Sequence, residues 1–539
     1  MGKSFHFTLL ILAAILVTSC TNSEPQRPNI ILFFTDDNGF EYWGFSGGPD
    51  LSPQIDAIAA EGVTAKNAYI SASVCTPSRY SLHTGRFAGR CQHPEFHEEF
   101  PDTIPYTITW NTYLDPSIET TLGELLQKGG YTTGFVGKWH LGWDREKFSF
   151  NADDDPKDPE VDRKLKAFHE AAKSTIKQSG FDYAESVTPI NIDNHPVEAV
   201  RYHNLEWFAK GANDFLDQVA GNNEPFFLIV NITTHHGPCH IASIEQPVSL
   251  TPAGYVDDLE EVMPPRETIF ERIGEKGYPV DFKTAGSVWT DDCVGAVLEK
   301  LENIGKEDET LVIFTTDHNR YDGKATCYEG GVKIPFVAKH PGTITPGSTF
   351  DTRFQLTDML PTFLEAGDIR MPENAEIDGK SIWKQMSGKS NEQVHDDLYF
   401  EFGYSRGILH DKWKYIALRY PDEITSKMKN GEISQAVSLR GAVTDEPCFD
   451  RYPGYFETDQ LYNLETDPEE QNNLAYDPQY SAQMNLMQDR LWDILQTFDH
   501  PFPREVDSFY TTGAYKALAE KARENSNMEK FYWYIQGCY

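Results

Sequence analysis

Four short, almost wholly apolar runs, each stopping at a cluster of polar residues, constrain the fold of this chain more than any other feature. Asn29 to Phe34 (NIILFF) runs into Thr35-Asp36-Asp37, and Tyr131 to Val136 runs into Gly137-Lys138-Trp139-His140. Phe226 to Ile232 (FFLIVNI) runs into Thr233-Thr234-His235-His236, and Leu311 to Phe314 (LVIF) runs into Thr315-Thr316-Asp317-His318. Runs without polar alternation read as strands buried on both faces, as in a parallel sheet covered by helices. Helical patterns lie between them. Gln54 to Glu61 puts Ile55, Ile58 and Ala59 on one face before Gly62, and Glu119 to Lys128 carries Leu122, Leu125 and Leu126 before Gly129-Gly130. Thr284 to Ile304 places Val294, Val297, Leu298 and Leu301 at helical spacing and stops at Gly305. Strands alternating with helices predict an α/β sandwich with a mostly parallel central sheet. Such sheets bind ligands beyond the carboxyl ends of their strands, so the four polar clusters should meet at one place.

After Asp397 the pattern changes. Leu398 to Phe402, Arg406 to Leu418 and Gln460 to Leu464 read as strands of a smaller antiparallel sheet, followed by a helix with Met484, Met487, Leu491, Ile494 and Leu495 on one face. The predicted division is residues 28–396 for the main domain and 397–539 for a C-terminal subdomain. Two long excursions, Asp144 to Asn194 (acidic and irregular) and Arg419 to Asp459, read equally well as lids or as decoration.

The N-terminus is a targeting segment. Lys3 supplies charge, Phe7 to Val17 is apolar but too short to span a bilayer, and Val17-Thr18-Ser19-Cys20 closes it. That ending resembles a bacterial lipobox. It implies a signal peptide over residues 1–19, lipidation of Cys20, a polar tether over 20–27, and a place in the bacterial cell envelope, in the periplasm or at the cell surface. The net charge of −36 argues against a nucleic-acid partner, which would need a basic footprint. Eight cysteines in an exported chain permit disulfides, but their pairing is not legible.

Cys75 stands in Cys75-Thr76-Pro77-Ser78-Arg79, followed by Leu82-His83-Thr84-Gly85-Arg86. A cysteine before Pro and Ser is often only a packed small residue. Pro77, however, suits a first helical position, which would set Cys75 beside a helix N-terminus where backbone donors favour a tetrahedral anion. Arg79 adds a planar fork of donors for oxyanions. Asp36, Asp37 and Asp317 supply hard oxygens for a divalent cation, or act as ordinary caps. Lys138 and His140, two apart, face one side of an extended segment. The His235-His236 pair is either metal-binding or structural.

These motifs carry a resemblance that spans nearly the whole mature chain. Cys75-Thr76-Pro77-Ser78-Arg79, the opening Arg27-Pro28-Asn29-Ile30 strand with its aspartates, Gly323-Lys324-Ala325-Thr326-Cys327-Tyr328-Glu329-Gly330-Gly331 and Leu461-Tyr462-Asn463-Leu464-Glu465-Thr466-Asp467-Pro468 resemble type I sulfatases of the alkaline-phosphatase-like superfamily. The resemblance implies that a sulfatase-maturating enzyme oxidises Cys75 to formylglycine (3-oxoalanine), whose hydrate is the nucleophile. It implies one calcium ion per chain, held by Asp36, Asp37, Asp317, His318 and an oxygen of residue 75. It assigns Arg79, Lys138 and Lys324 to the sulfate oxygens, His236 with Lys324 to the leaving oxygen, and His140 to the proton of the second diol hydroxyl. His240 is a further candidate for substrate contact, and Lys333 is expected to be structural. One diol oxygen would attack sulfur, and the other would then expel sulfate from the enzyme ester, a division of the reaction typical of nucleophilic catalysis.

The expected substrate is a sulfated carbohydrate or an aryl sulfate. Ulvan, carrageenan and glycosaminoglycan fragments all remain open. A phosphomonoester or phosphonate hydrolase of the same fold, and a non-catalytic protein that binds sulfated glycans, are the alternatives.

Overall fold

The computed structural model describes residues 27–143, 148–259, 261–320, 323–439 and 448–525. The expected lipobox ending at Cys20 lies outside them. Eight strands form the central sheet: β1 (Asn29–Thr35), β2 (Val63–Ala65), β3 (Thr132–Lys138), β4 (Tyr183–Thr188), β5 (Phe226–Asn231), β6 (Thr310–Thr316), β7 (Phe336–Lys339) and β8 (Ser348–Phe350). Their spatial order is β8-β2-β7-β6-β1-β5-β3-β4. The run from β6 to β4 is parallel throughout, and β7 pairs antiparallel with both β6 and β2.

Every residue of β1 is buried, and its side chains serve two cores. Ile30, Leu32 and Phe34 belong to one cluster, and Ile31 and Phe33 to the other. This is why the strand reads as one unbroken apolar run: both faces are covered. The helices α1 (Pro53–Ala60), α2 (Cys75–Thr84) and α3 (Leu122–Lys128) come before or beside β3 in the chain. They are joined by α4 (Pro159–Gln178), α5 (Leu205–Val219), α6 (Phe282–Asn303) and α7 (Met359–Ala366). Side chains of α2, α3 and α7 fill the first core, and those of α1, α5 and α6 fill the second.

Three expectations need correction. The segment from Asp144 to Asn194 is not irregular, because it holds α4 and the edge strand β4. Asp158 caps α4 by accepting from the N–H groups of Glu160 and Val161, Pro159 occupies the first helical position, and Val161, Leu165, Phe168, Ala172 and Ile176 are buried at helical spacing. Burying each large side chain contributes about 1.5–3 kcal/mol, so the acidic outer face masks a well-anchored helix. The stretch from Arg406 to Leu418 is a hairpin, not one strand. The C-terminal sheet runs β9 (Asp397–Phe402), β10 (Ser405–His410), β11 (Trp413–Leu418) and β12 (Asp459–Asn463), and the chain reverses at Asp411, whose φ is 52°. Last, α2 begins at Cys75 and not at Pro77. Pro77 is tolerated in that first turn because those N–H groups have no intrahelical partner to lose.

The helix α8 (Ser481–Leu495) packs on the small sheet through Met484, Met487 and Leu491, and the same core takes in Phe400, Ile408 and Tyr415. The C-terminal layer thus shares a core with the main sheet. Among the described residues, no helix is long and apolar enough to cross a membrane.

Candidate active site

The parallel strands β6, β1, β5 and β3 are neighbours in that order, so their carboxyl ends share one edge. Asp36 and Asp37 follow β1, Lys138 ends β3, Asn231 ends β5, and Asp317 and His318 follow β6. Backbone bonds lock these ends together. Asp36 N–H donates to the Thr234 carbonyl at 3.2 Å, and Asp317 N–H donates to the Thr35 carbonyl at 3.1 Å. Gly137 has φ 92°, and a side chain there would collide with the Asn231 carbonyl, so glycine is what lets β3 deliver Lys138. Asp37 (φ 59°) and His140 (φ 57°) are held in the left-handed region, which costs energy that the surrounding packing must offset.

Cys75 enters this edge as the first residue of α2 and is fully buried. Its Sγ lies 3.5 Å from Asp36 Oδ1 and 3.3 Å from His318 Nε2. Burial and the Asp36 charge push the thiol well above the usual range, and Lys138 only partly offsets them. An unmodified thiol so placed stays protonated and is a poor nucleophile.

Arg79 projects from the next turn of α2 and makes four hydrogen bonds. Nε and Nη2 donate to Asp317 Oδ2 at 3.2 and 3.0 Å, and Nη1 donates to the Lys138 carbonyl and Asn231 Oδ1, each at 3.0 Å. Ser78 donates to the Asp317 carbonyl. The Lys138 ammonium reaches Asp36, and Lys324 Nζ donates to Asp37 Oδ1 at 2.6 Å. Burial raises the cost of charge on Asp36 and Asp37. Lys138 and Arg79 around Asp36, and Lys324 beside Asp37, outweigh it and hold both carboxyls well below their usual range. Asp317 moves the other way, raised by burial and by the charge on Asp36.

These residues fit a divalent cation. Ligand atoms of Asp36, Asp37, Cys75 and His318 all lie within 4.8 Å of one another. His318 Nδ1 donates to the Asn319 carbonyl at 2.9 Å, which can only accept. Burial keeps the ring neutral, so Nε2 presents a lone pair to Asp37 Oδ1 at 3.2 Å and Asp317 Oδ1 at 3.6 Å. Three electron-rich atoms facing one another are a cation's donor set.

The histidines divide into two kinds. Burial and the Lys138 charge hold His140 well below the usual imidazole range, and its buried Nδ1 has no hydrogen-bond partner among the described residues. His236 donates from Nδ1 to the Gly237 carbonyl at 3.0 Å. The others are structural. His235 is fixed by Asn38 Oδ1 at 2.6 Å and by the Lys283 carbonyl and Ser287 Oγ. His240, expected as a substrate contact, is instead packed face to face on Phe282, with its nitrogens 2.7 Å from the Phe282 carbonyl and 3.2 Å from that of His236. Both ring nitrogens therefore already have backbone carbonyl partners. Lys333 pairs in a short ladder with Tyr69, in keeping with a structural part.

Asn38, Asn231 and His203 belong to the site and were not singled out in the sequence. Asn38 ties the Asp36 and Thr234 carbonyls, and His203 Nε2 lies 3.1 Å from the His236 carbonyl. The one signal was Asn231, a polar residue inside an apolar run.

Residues 28–369, more than half of the chain, match the family model described as Sulfatase. The chain belongs to the sulfatase family. It is 25% identical to the ulvan-active sulfatase of Formosa agariphila, with 90% of this chain and 84% of that protein covered. It is 28% identical to human arylsulfatase A over 86% of each. In fold it is similar to the putative sulfatase yidJ of Bacteroides fragilis, with a TM-score of 0.58, 19% identity, and 91% of this chain and 98% of that one covered. This sulfatase is a sulfuric ester hydrolase, of the family that uses a formylglycine and a divalent metal.

Proposed function

We propose that this sulfatase removes sulfate from sulfated polysaccharide fragments, that Cys75 is oxidised to formylglycine by a sulfatase-maturating enzyme, and that the cation is calcium. One observation carries the reading: the only side chain at the N-terminus of α2 that faces Asp36 and His318 is a thiol too buried to ionise, encircled by Arg79, Lys138 and Lys324. Such a setting suits a tetrahedral oxyanion, and the carboxylate-rich donor set suits a hard cation. Asp36, Asp37, Asp317 and His318 would hold the cation, which would supply charge to polarise a sulfate oxygen.

The chain's own residues then have distinct tasks. Arg79, already fixed by four hydrogen bonds, orients the sulfate and braces Asp317. Lys138 and Lys324, paired here with Asp36 and Asp37, are the ammonium groups that would hold the sulfate oxygens. His140 holds a neutral ring whose lone pair can take a hydroxyl proton, which is the condition for a general base. His236, whose Nδ1 is held by the Gly237 carbonyl, turns Nε2 to the leaving oxygen. The polysaccharide assignment draws on the Formosa agariphila relative, named for activity on ulvan. The lipobox at Cys20 supports export and lipid anchoring at the bacterial envelope.

Sulfate release from a panel of defined sulfated oligosaccharides, with aryl sulfate and aryl phosphate in competition, tests this function. Release from at least one oligosaccharide and preference for the sulfate ester are expected. Release from aryl esters alone would sink the substrate assignment, and preference for phosphate would sink the chemistry.

A further inference from the structure

We propose a second metal site, for a late first-row divalent ion such as zinc, formed by His97, Asp102 and His500 at the junction of the main domain and the C-terminal subdomain. It is separate from the catalytic cluster and uses none of its residues. Candidate ligand atoms of the three lie within 4.8 Å of one another. His97 Nδ1 is 3.8 Å from Asp102 Oδ1, and His500 Nε2 is 4.0 Å from the same oxygen.

The tautomer of His500 points to a ligand. Its Nδ1 lies 3.1 Å from the Ile104 carbonyl, which can only accept, so Nδ1 carries the proton. In the neutral ring Nε2 then carries the lone pair. The His500 side chain is 2% exposed, yet Nε2 makes no hydrogen bond among the described residues and is aimed at Asp102 and His97. A buried imidazole with one nitrogen donating to a backbone carbonyl and the other unused is the outer-shell arrangement of metal-binding histidines. The ring cannot turn away to find another partner. Phe96 and Tyr106 press on it edge to face, with centroids at 6.0 and 5.2 Å, and the His97 ring stacks at 6.3 Å.

The donor chemistry selects the ion. Two imidazole nitrogens and one carboxylate suit zinc and its neighbours, whereas calcium prefers an all-oxygen shell. Ligand atoms of a tetrahedral zinc stand roughly 3.3 Å apart, given bonds of about 2.0–2.1 Å. The distances from Asp102 to the two histidines exceed that by about 0.5 and about 0.7 Å, within the reach of the Asp102 side chain, which is 66% exposed, while the half-buried His97 ring adjusts toward His500. Water would complete the shell.

The site would act as a staple. His97 lies in the last turn of the short helix Pro94–Glu99, Asp102 lies in the turn that follows it, and His500 follows α8 at the far end of the chain. The platform beneath them already joins the two parts: Tyr106 donates to Glu401 Oε2 at 2.7 Å, and Arg406 donates to the Tyr106 carbonyl at 2.9 Å.

The test is zinc binding by the full mature protein with calcium in excess, so that the catalytic cluster is already served. Equilibrium dialysis should give one zinc per chain, and cobalt should give the visible bands of a four-coordinate N/O site. His97→Ala at a half-buried position and Asp102→Ala at an exposed one should each weaken zinc binding by more than the ~10–100-fold typical of outer-shell changes. Zinc should raise the melting temperature of the wild type and not of these variants, while aryl sulfate hydrolysis stays unchanged in all three. Equal zinc uptake by wild type, His97→Ala and Asp102→Ala would overturn the site, as would uptake that disappears in Asp36→Ala instead.

Discussion

Truncating Glu206 to alanine should destabilise this sulfatase strongly, because it would strand a buried guanidinium. Glu206, in the first turn of α5, accepts from Arg266 through both oxygens, at 2.7 Å from Nε and 2.6 Å from Nη2, with the two side chains 3% and 6% exposed. Trp289 Nε1 donates to the same carboxylate at 3.2 Å, and Arg266 Nη1 runs on to the Ser243 and Gln246 carbonyls at 3.3 and 3.1 Å. Ser243 lies in the helix His240–Ile244 that follows His236, so the pair ties that catalytic loop to α5 and α6. Removing one partner of a buried ion pair costs about 3–5 kcal/mol, whereas replacing both by apolar groups is often near neutral. In the double variant Glu206→Leu/Arg266→Met, the Trp289 donor still lacks an acceptor, which costs about 1–3 kcal/mol. The double variant should therefore be more stable than either Glu206→Ala or Arg266→Met alone. Urea unfolding followed by tryptophan fluorescence measures all four proteins, and aryl sulfatase kcat should fall in the single variants through displacement of His236. A Glu206→Ala protein within about 1 kcal/mol of wild type, or a double variant that loses the sum of the singles, would refute this reasoning.

Arg79→Lys keeps the charge but loses the fork, leaving Asn231 Oδ1 and the Lys138 carbonyl without their donor. Activity on aryl sulfate should fall by at least ~100-fold, with kcat carrying most of the loss, and kinetics near wild type would contradict the assigned geometry. Burial lowers His83 and His203 to about 3, and His169 and His195 to about 4. Their folded values lie below the unfolded one near 6.5, so the stability they contribute is full above pH 6.5 and is lost as pH falls toward 4. Asp291 and Glu470, raised to about 8 by burial, act in the opposite sense and lose stability as pH rises toward 8. With four histidines set against two acids, the melting temperature should drop between pH 6.5 and 4.5, and a flat profile would contradict the balance. Chelation should abolish turnover and lower the melting temperature, and calcium should restore both better than magnesium. Full activity after exhaustive chelation would remove the cation from the account.

The strand ends were legible because the sheet is covered on both faces: every residue of β1, β5 and β6 is buried, so each strand is one apolar run with its functional residues just beyond. The helix α4 was not, because its acidic outer face dominates the composition of its segment while only one stripe is buried. All ten residues of α2 are buried, so no one-sided pattern marked its start at Cys75. The hairpin at Asp411 lacks the glycine that usually announces such a turn. Asp36, Asp37, Cys75, Arg79 and Asp317 lie in local motifs, and the structure brings them together. Asn38, Asn231 and His203 acquire their tasks only from which strand ends become neighbours, which no local pattern encodes.

Mass spectrometry of the tryptic peptide Asn67 to Arg79 from native cells tests the central claim most directly. Residue 75 should carry an aldehyde, and protein made without a maturating enzyme should carry a thiol and be inactive. A thiol at Cys75 in protein that hydrolyses aryl sulfate at the full rate would contradict the account.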